Sequence, residues 1–182
     1  MKCCLTTTSA GSYCVYHSKT CPVIIEAEPE DIDEVYELWH ELLEFHQPHH
    51  PVFRYKPNSE QVLKKELLAR LKDKDTRIFG YVQQDNWRGM IIATLKQAAP
   101  GFKLLKKGYI AETVVQEQYR GTGIGNELVE AAKKWLTDNG ADHIELQVSV
   151  KNKAAIRFWE TQGFSPSTQH MILDLSSKAK KS

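Results

Sequence analysis

Arg120-Gly121-Thr122-Gly123-Ile124-Gly125 lies between a run of strand formers, Tyr109 to Val115, and a stretch in which Ile124, Leu128, Ala132, Trp135 and Leu136 recur at helical spacing. Glycines let backbone N–H groups approach an anion closely, and the following helix adds the positive end of its dipole. A strand–glycine–helix junction is therefore built to hold a phosphate, with Arg120 offering a charge-assisted contact. Taken alone, the glycines fit equally well a turn that has no ligand. Two nucleotide motifs drop out: a phosphate-binding loop needs Gly-Lys-Ser/Thr at the helix start, and G-x-G-x-x-G needs glycine where Asn126 stands.

Upstream of this junction the pattern starts with a short apolar strand, Val23 to Ala27, and Pro29 then suits a first helical position. Ile32, Val35, Tyr36, Trp39, Leu42 and Leu43 form one helical face, which Pro48 and Pro51 bring to an end near Gln47. Asn58 with Gln61 reads as a capping pair for a second helix with Leu63, Leu67, Leu68 and Leu71 on one face. Ile78–Gln83 and Met90–Leu95 flank Asp85 and Asn86 as an antiparallel hairpin. Downstream, Asn139 and Gly140 end the long helix, and Ile144, Leu146, Val148 and Val150 alternate as a strand does. Asn152 caps a last short helix that Gly163 ends, and a final strand is expected over Gln169 to Leu175.

The chain has 182 residues, 41% of them hydrophobic, which suits one domain. Lys and Arg number 24 against 23 Asp and Glu; a net charge of +1 gives no field that implies nucleic acid or a charged membrane as partner. No apolar run approaches the roughly 20 residues a membrane helix needs, and Thr6 to Ser12 is polar where a secretory signal is apolar. A cytoplasmic protein is expected. All four cysteines, Cys3, Cys4, Cys14 and Cys21, fall in an opening segment, residues 1–21, read as a poorly ordered tail without paired metal-ligand spacing. Residues 176–182, with Lys178, Lys180 and Lys181, read as a basic solvated tail, leaving 22–175 as the domain.

Arg120, Gly123 and Gly125 satisfy the spacing Q/R-x-x-G-x-G/A, and Asn152, Ala155, Phe158, Gly163 and Phe164 satisfy N-x-x-A-x-x-F-Y-x-x-x-G-F at the expected distance downstream. In these two blocks the chain resembles the GNAT superfamily of acetyl-CoA-dependent N-acetyltransferases. The resemblance covers about Pro22 to Leu175 in element order, with the specific motifs between Tyr109 and Phe164. It implies an α/β (α+β) fold, a mixed, mostly antiparallel twisted sheet flanked by helices. It further implies that backbone N–H groups of the turn, here Arg120, Gly121, Thr122, Gly123, Ile124, Gly125 and Asn126, hold the CoA pyrophosphate. The strand at Thr113, Val114 and Val115 would pair with the pantetheine arm, and Asn152 would bond the pantetheine region, cap its helix, or do both. Acetyl-CoA is thus the expected co-substrate, with no metal; a homodimer is common in the family.

An alkyl amine, with a pKa near 10.4, is protonated at neutral pH and cannot attack a thioester until a base or water chain removes the proton. Glu112 is the first candidate base, because carboxylates at or beside this position serve so in several family members. Its plain alternative is a solvated or salt-bridged strand residue, and the family's carboxylate often occupies the place of Ala111; a one-residue slip in register would turn the side chain to the other sheet face. Glu41 and Glu44 are lesser candidates. Trp159 stands where the family commonly has a tyrosine that protonates the leaving thiolate, and an indole N–H has no useful acid chemistry. His46, His49 and His50 lack a supporting ligand pattern and read as loop residues before they read as metal ligands.

The expected activity is acetyl transfer to a primary amine, on a small molecule or a protein or peptide, by direct attack in a ternary complex. The alternative is a non-catalytic acyl-CoA-binding sensor, which turnover separates from the enzyme. A nicotinamide oxidoreductase would need an acidic residue beyond the next strand, whereas Glu145 lies within it.

Overall fold

The computed structural model describes residues 21–48, 54–98, 101, 103–173 and 175. Five strands, β1 (Val23–Glu26), β2 (Thr76–Gln83), β3 (Asn86–Gln97), β4 (Lys106–Val115) and β5 (His143–Leu146), form one sheet in the order β1-β2-β3-β4-β5. Every pairing is antiparallel except β4 with β5, which is parallel. Helices α1 (Ile32–His46) and α2 (Glu60–Lys72) cover one face, and α3 (Ile124–Asp138) with α4 (Lys153–Thr161) cover the other.

Alternation along the strands divides the core accordingly. Phe79, Tyr81, Ile91, Ala93 and Ile110 pack with Leu128, Val129, Ala132, Leu136 and Trp159 on the α3 side. Ile78, Met90, Ile92 and Val114 pack with Val35, Leu38, Trp39 and Leu67 on the α1 side. The β2–β3 hairpin turns through Gln84 (φ 53°) and Asp85 (φ 58°), a two-residue loop whose left-handed backbone matches the twist of its strands. A short 3₁₀ turn over Pro29–Asp31 precedes α1, where the Glu28 N–H donates to Asp31 Oδ2 at 2.9 Å.

Three expectations fail. Asn58 does not cap α2: it takes a left-handed conformation (φ 58°), which asparagine tolerates, and Ser59 is the N-cap residue. The strand expected over Gln169–Leu175 forms no ladder among the described residues, and β5 stops at Leu146 although the alternation runs to Val150. Both segments lack a neighbouring strand, and alternation alone supplies no hydrogen-bond partner. The expectations for residues 1–20 and 176–182, and for His49 and His50, lie outside the described residues.

Asp142 fastens the start of β5 to β4. Its Oδ2 accepts from the N–H groups of Leu105 (2.6 Å) and Lys106 (2.9 Å), and its own N–H donates to the Lys106 carbonyl. The Lys106 amide, His143 and the Leu105 amide together outweigh desolvation and lower the Asp142 pKa. A carboxylate with a lowered folded pKa stabilises fully above its unfolded value, about 3.9, and loses that contribution as pH falls through the folded pKa. Asp142→Ala is therefore expected to lower Tm at neutral pH, with the gap to wild type narrowing below about pH 4. A gap that stays constant down to pH 2 speaks against this fastening.

Candidate active site

The β4–β5 ladder runs from Lys107↔His143 to Ile110↔Leu146 and stops there, while β4 continues to Val115 with β3 on its other side. The two parallel strands therefore diverge, leaving one edge of β4 without a strand over its last five residues among the described residues. Straight ahead of that edge are a 3₁₀ turn, Glu117–Tyr119, and the glycine turn that opens α3.

Two glycines in the turn are left-handed, Gly121 (φ 78°) and Gly123 (φ 97°), and a Cβ built on either meets no atom within 4 Å. Backbone conformation, not crowding, demands glycine there, and the concave side is open. Helical bonding begins with the N–H groups of Asn126 and Glu127, both donating to the Gly123 carbonyl at 2.9 and 3.2 Å; the N–H groups ahead of them are free of the ladder. Gly125 serves packing: a Cβ there would lie 3.2 Å from the Phe158 ring, so α4 approaches α3 closely.

Several side chains around the turn are engaged within the protein, as are the N–H groups of Arg120, which donates to the Glu117 carbonyl at 3.2 Å, and Asn126. Arg120 turns back, its Nε donating to the Val115 carbonyl (3.0 Å) and its Nη2 lying 3.5 Å from Glu41. Thr122 Oγ1 donates to the Tyr119 carbonyl, and the Asn126 carbonyl oxygen Oδ1 accepts from Gln162. Ile124 and Val114 are buried in the two cores. Asn152 Oδ1 caps α4 by accepting from the Ala155 N–H at 3.0 Å. Trp159 is buried among Phe158 and Phe164, which meet it edge-on at 5.0 and 5.3 Å.

The register question at Glu112 is resolved by a bulge. Ile92 pairs with Glu112 but Ala93 pairs with Ile110, so Ala111 is extra. Ile110 points to the α3 side, and strict alternation would send Glu112 the same way; the inserted residue turns Glu112, with Val114, toward α1 and α2. There Arg70 Nη1 donates to Glu112 Oε1 at 2.8 Å, Arg70 Nη2 donates to Glu66, and the guanidinium lies 5.3 Å from the Trp39 ring. Burial disfavours the charge on Arg70, but Glu112 and Glu66 outweigh it and its pKa is raised. Glu112 Oε2 and Trp39 Nε1 are both shielded and have no hydrogen-bond partner, an unusual condition for buried polar atoms.

The lesser carboxylates are committed elsewhere. Glu41 faces Arg120, and Glu44 accepts from the hydroxyl of Tyr55, which also contacts His40 Nε2 at 2.8 Å. Burial first, then the Glu44 contact, pushes the Tyr55 pKa up to about 12. Among the described residues no group of three or more His, Cys, Asp or Glu is placed to hold a metal. A surface hollow lined in part by Gln97, Lys107, His143 and Glu145 lies at the far end of β4 from the glycine turn and includes neither the turn nor Glu112. Sequence reasoning missed Arg70 and Trp39; on one strand of text they are an ordinary helix cation and a core aromatic, and only the packing of α1 and α2 on β4 brings them to Glu112.

A family model described as the acetyltransferase (GNAT) family matches residues 32–164. The chain is 36% identical over 63 residues to the uncharacterized N-acetyltransferase YobR of Bacillus subtilis, covering 35% of this chain and 26% of that protein. It is 36% identical over 86 residues to N-alpha-acetyltransferase 30 of Schizosaccharomyces pombe, covering 47% of this chain and 57% of the relative. The matches thus span about a quarter to just over half the length of these curated relatives. The solved structure of the BH1408 protein from Bacillus halodurans superposes with a TM-score of 0.75 at 26% identity, over 84% of this chain and 99% of that one.

Proposed function

We propose that this chain, which belongs to the GNAT family of acetyltransferases, transfers the acetyl group of acetyl-CoA to a primary amine. The observation that carries the reading is the divergence of β4 from β5 beyond Ile110 and Leu146, aimed at a turn with left-handed glycines and free helix N–H groups. The edge of β4 at Thr113–Val115, open apart from the Val115 carbonyl that Arg120 holds, suits an amide-bearing arm. The N–H groups of Gly121 to Gly125 suit a pyrophosphate, since anions are favoured at a helix N-terminus, whereas those of Arg120 and Asn126 donate to the Glu117 and Gly123 carbonyls. Asn152 lies at the start of α4, across the gap that follows β5.

Glu112 is assigned the role of base. Its Oε2 retains unused lone pairs, while Arg70 holds Oε1, so the carboxylate is fixed in orientation with one oxygen left to accept. An ammonium gives its proton to Glu112, directly or through one water that reaches the shielded Oε2; the free amine attacks the thioester carbon, and as the C–S bond breaks the nitrogen releases its second proton to solvent, yielding an amide and CoA thiolate. Trp159, buried in the apolar core, is not assigned the thiolate's proton, which comes from solvent. Trp159→Phe is accordingly expected to cost on the order of 1–3 kcal/mol of stability through the space it leaves. The kcat of the folded variant should change less than about tenfold, whereas a hundredfold loss at intact CoA affinity would assign the indole a direct role.

The acceptor is a small-molecule or peptide amine; the Schizosaccharomyces pombe relative, named an N-alpha-acetyltransferase, supports including peptide α-amino groups. A panel of peptides, amino acids and polyamines, assayed with acetyl-CoA by release of free thiol, tests the reading. Amine-dependent release supports it, and saturable acetyl-CoA binding with no turnover across the panel returns the chain to the sensor alternative.

A further inference from the structure

Nearest the glycine turn, the sheet face under α1 and α2 is apolar: Met90, Ile92 and Val114 lie in that core. Away from the turn the same face becomes polar, with Thr94 and Lys96 on β3, Lys107 and Tyr109 on β4, and His143 and Glu145 on β5. The register aligns them: Lys96 stands opposite Lys107, which stands opposite His143, and Thr94, Tyr109 and Glu145 form the next rung. Their neighbours Leu95, Ile110 and Ile144 pack on the α3 side, so alternation turns these six to the other face. Lys96 and Glu145 are exposed, and Lys107, Tyr109 and His143 are half-buried. Glu112 continues this row on β4 past the Ala111 bulge. The row is one surface. Lys96 Nζ lies 4.2 Å from the centre of the Tyr109 ring, and burial first, then Glu112 against Lys107, raises the Tyr109 pKa, which puts both charges within reach of its hydroxyl.

Beyond Lys107 the row opens into a hollow of about 490 Å³ lined in part by Lys103, Leu104, Lys107, His143 and Glu145. Its charge is unbalanced. Glu145 is matched by Lys107 at 2.8 Å and His143 at 3.3 Å, whereas the exposed Lys96 and Lys103 have no carboxylate partner among the described residues. The opposite end of the row is the carboxylate of Glu112. A strip with a carboxylate at one end and unmatched lysines at the other is complementary to a molecule that carries an amine and, some way off, negative charge. Glu112 and Lys107 are five strand residues apart, roughly 15 Å at about 3.3 Å each. An extended peptide covers that span between its first residue and its fourth or fifth.

We propose that the acceptor is a peptide whose free α-amino group reaches Glu112 and whose acidic side chains, at about its fourth and fifth residues, are held by Lys96 and Lys103. This rests on acetyl transfer at Glu112 and narrows the acceptor to one class. The length of the strip favours a peptide over a compact amine, which would leave the lysine end unused. Tyr109 offers a ring beneath the peptide's early residues, and Leu104, 49% exposed, gives the hollow an apolar wall. A polyamine would instead bring its distal ammonium against Lys96 and Lys103, a like-charge contact that selects against it.

Fluorescence anisotropy of the full chain in saturating CoA tests this. The probes are eight-residue peptides with a free N-terminus and a C-terminal dye, differing only at positions four and five, which are both glutamate, both glutamine or both lysine. The glutamate peptide is expected to bind about tenfold or more tighter than the lysine peptide, with glutamine between them, and N-terminal acetylation should weaken it. The double variant Lys96→Glu/Lys103→Glu, altered at two exposed positions outside both cores, should keep the wild-type circular dichroism spectrum and reverse the order. Equal binding of the three peptides, binding of none, or an order that the folded variant leaves unchanged overturns the proposal. Thiol release separates this from the reaction. Turnover of a polyamine with no peptide bound keeps acetyl transfer and removes the peptide strip, whereas charge-ordered binding without thiol release from any amine supports the strip and removes acetyl transfer.

Discussion

Gly123→Val is expected to weaken acetyl-CoA binding by about a hundredfold or more, measured by calorimetry on folded protein. The turn presents backbone N–H groups to a doubly charged pyrophosphate, and each hydrogen bond to a charged group is worth roughly 1.5–3 kcal/mol, so losing two gives about that factor. A valine side chain acts twice here. It occupies open space, since a Cβ at this position meets nothing of the protein within 4 Å, and it strains a residue whose φ is 97°. A left-handed β-branched residue costs about 1–3 kcal/mol in the backbone alone. Gly123→Ala separates the terms: it carries much of the strain with little of the bulk, so its affinity should fall between wild type and valine. Equal affinity in wild type and valine variants removes the turn from the binding site.

Glu112→Gln is expected to lower kcat/KM by about 10² to 10⁴, the usual range for losing a general base, with CoA affinity nearly unchanged. Glutamine keeps the shape and still offers an oxygen to Arg70, so Arg70, Glu66 and Trp39 need not rearrange. What is lost is the ability to take a proton. The limb of the pH–rate profile that reports base deprotonation should flatten in the variant. A glutamate that served only as a brace for Arg70 would lower Tm and leave that limb in place. Full turnover by the folded variant moves the role to Glu41, Glu44 or ordered water.

The contrast between Gly123 and Glu112 shows what a sequence exposes to reading. A left-handed turn can be recognised locally: glycine at two positions between strand formers and a helical periodicity is a backbone constraint written into adjacent residues. The same holds for the two helical faces, the β2–β3 turn and the Asn152 cap, each fixed within a few residues. Glu112 depends on an inserted residue opposite Ile92 and Ala93, and no local rule makes Ala111 the bulge. Its partner Arg70 lies 42 positions away, and their meeting depends on how α2 packs against the sheet. Asn58 suits a cap by residue type, but the backbone entering α2 makes Ser59 the N-cap residue instead. Alternation in 147–150 and 169–175 was read as strand from an intrinsic pattern, whereas a strand exists only when another chain segment supplies its ladder.

The reaction itself is tested most directly by following the acetyl group. Acetyl-CoA carrying an isotopic label in the acetyl carbons is incubated with the full chain and an amine that supports thiol release, and the products are resolved by mass spectrometry. The account predicts that the label appears on the amine nitrogen as an amide, in equal amount to the CoA formed, and that Glu112→Gln slows both together. CoA formed without labelled amide would mean hydrolysis, and no CoA formed with any amine, although acetyl-CoA binds, would contradict acetyl transfer.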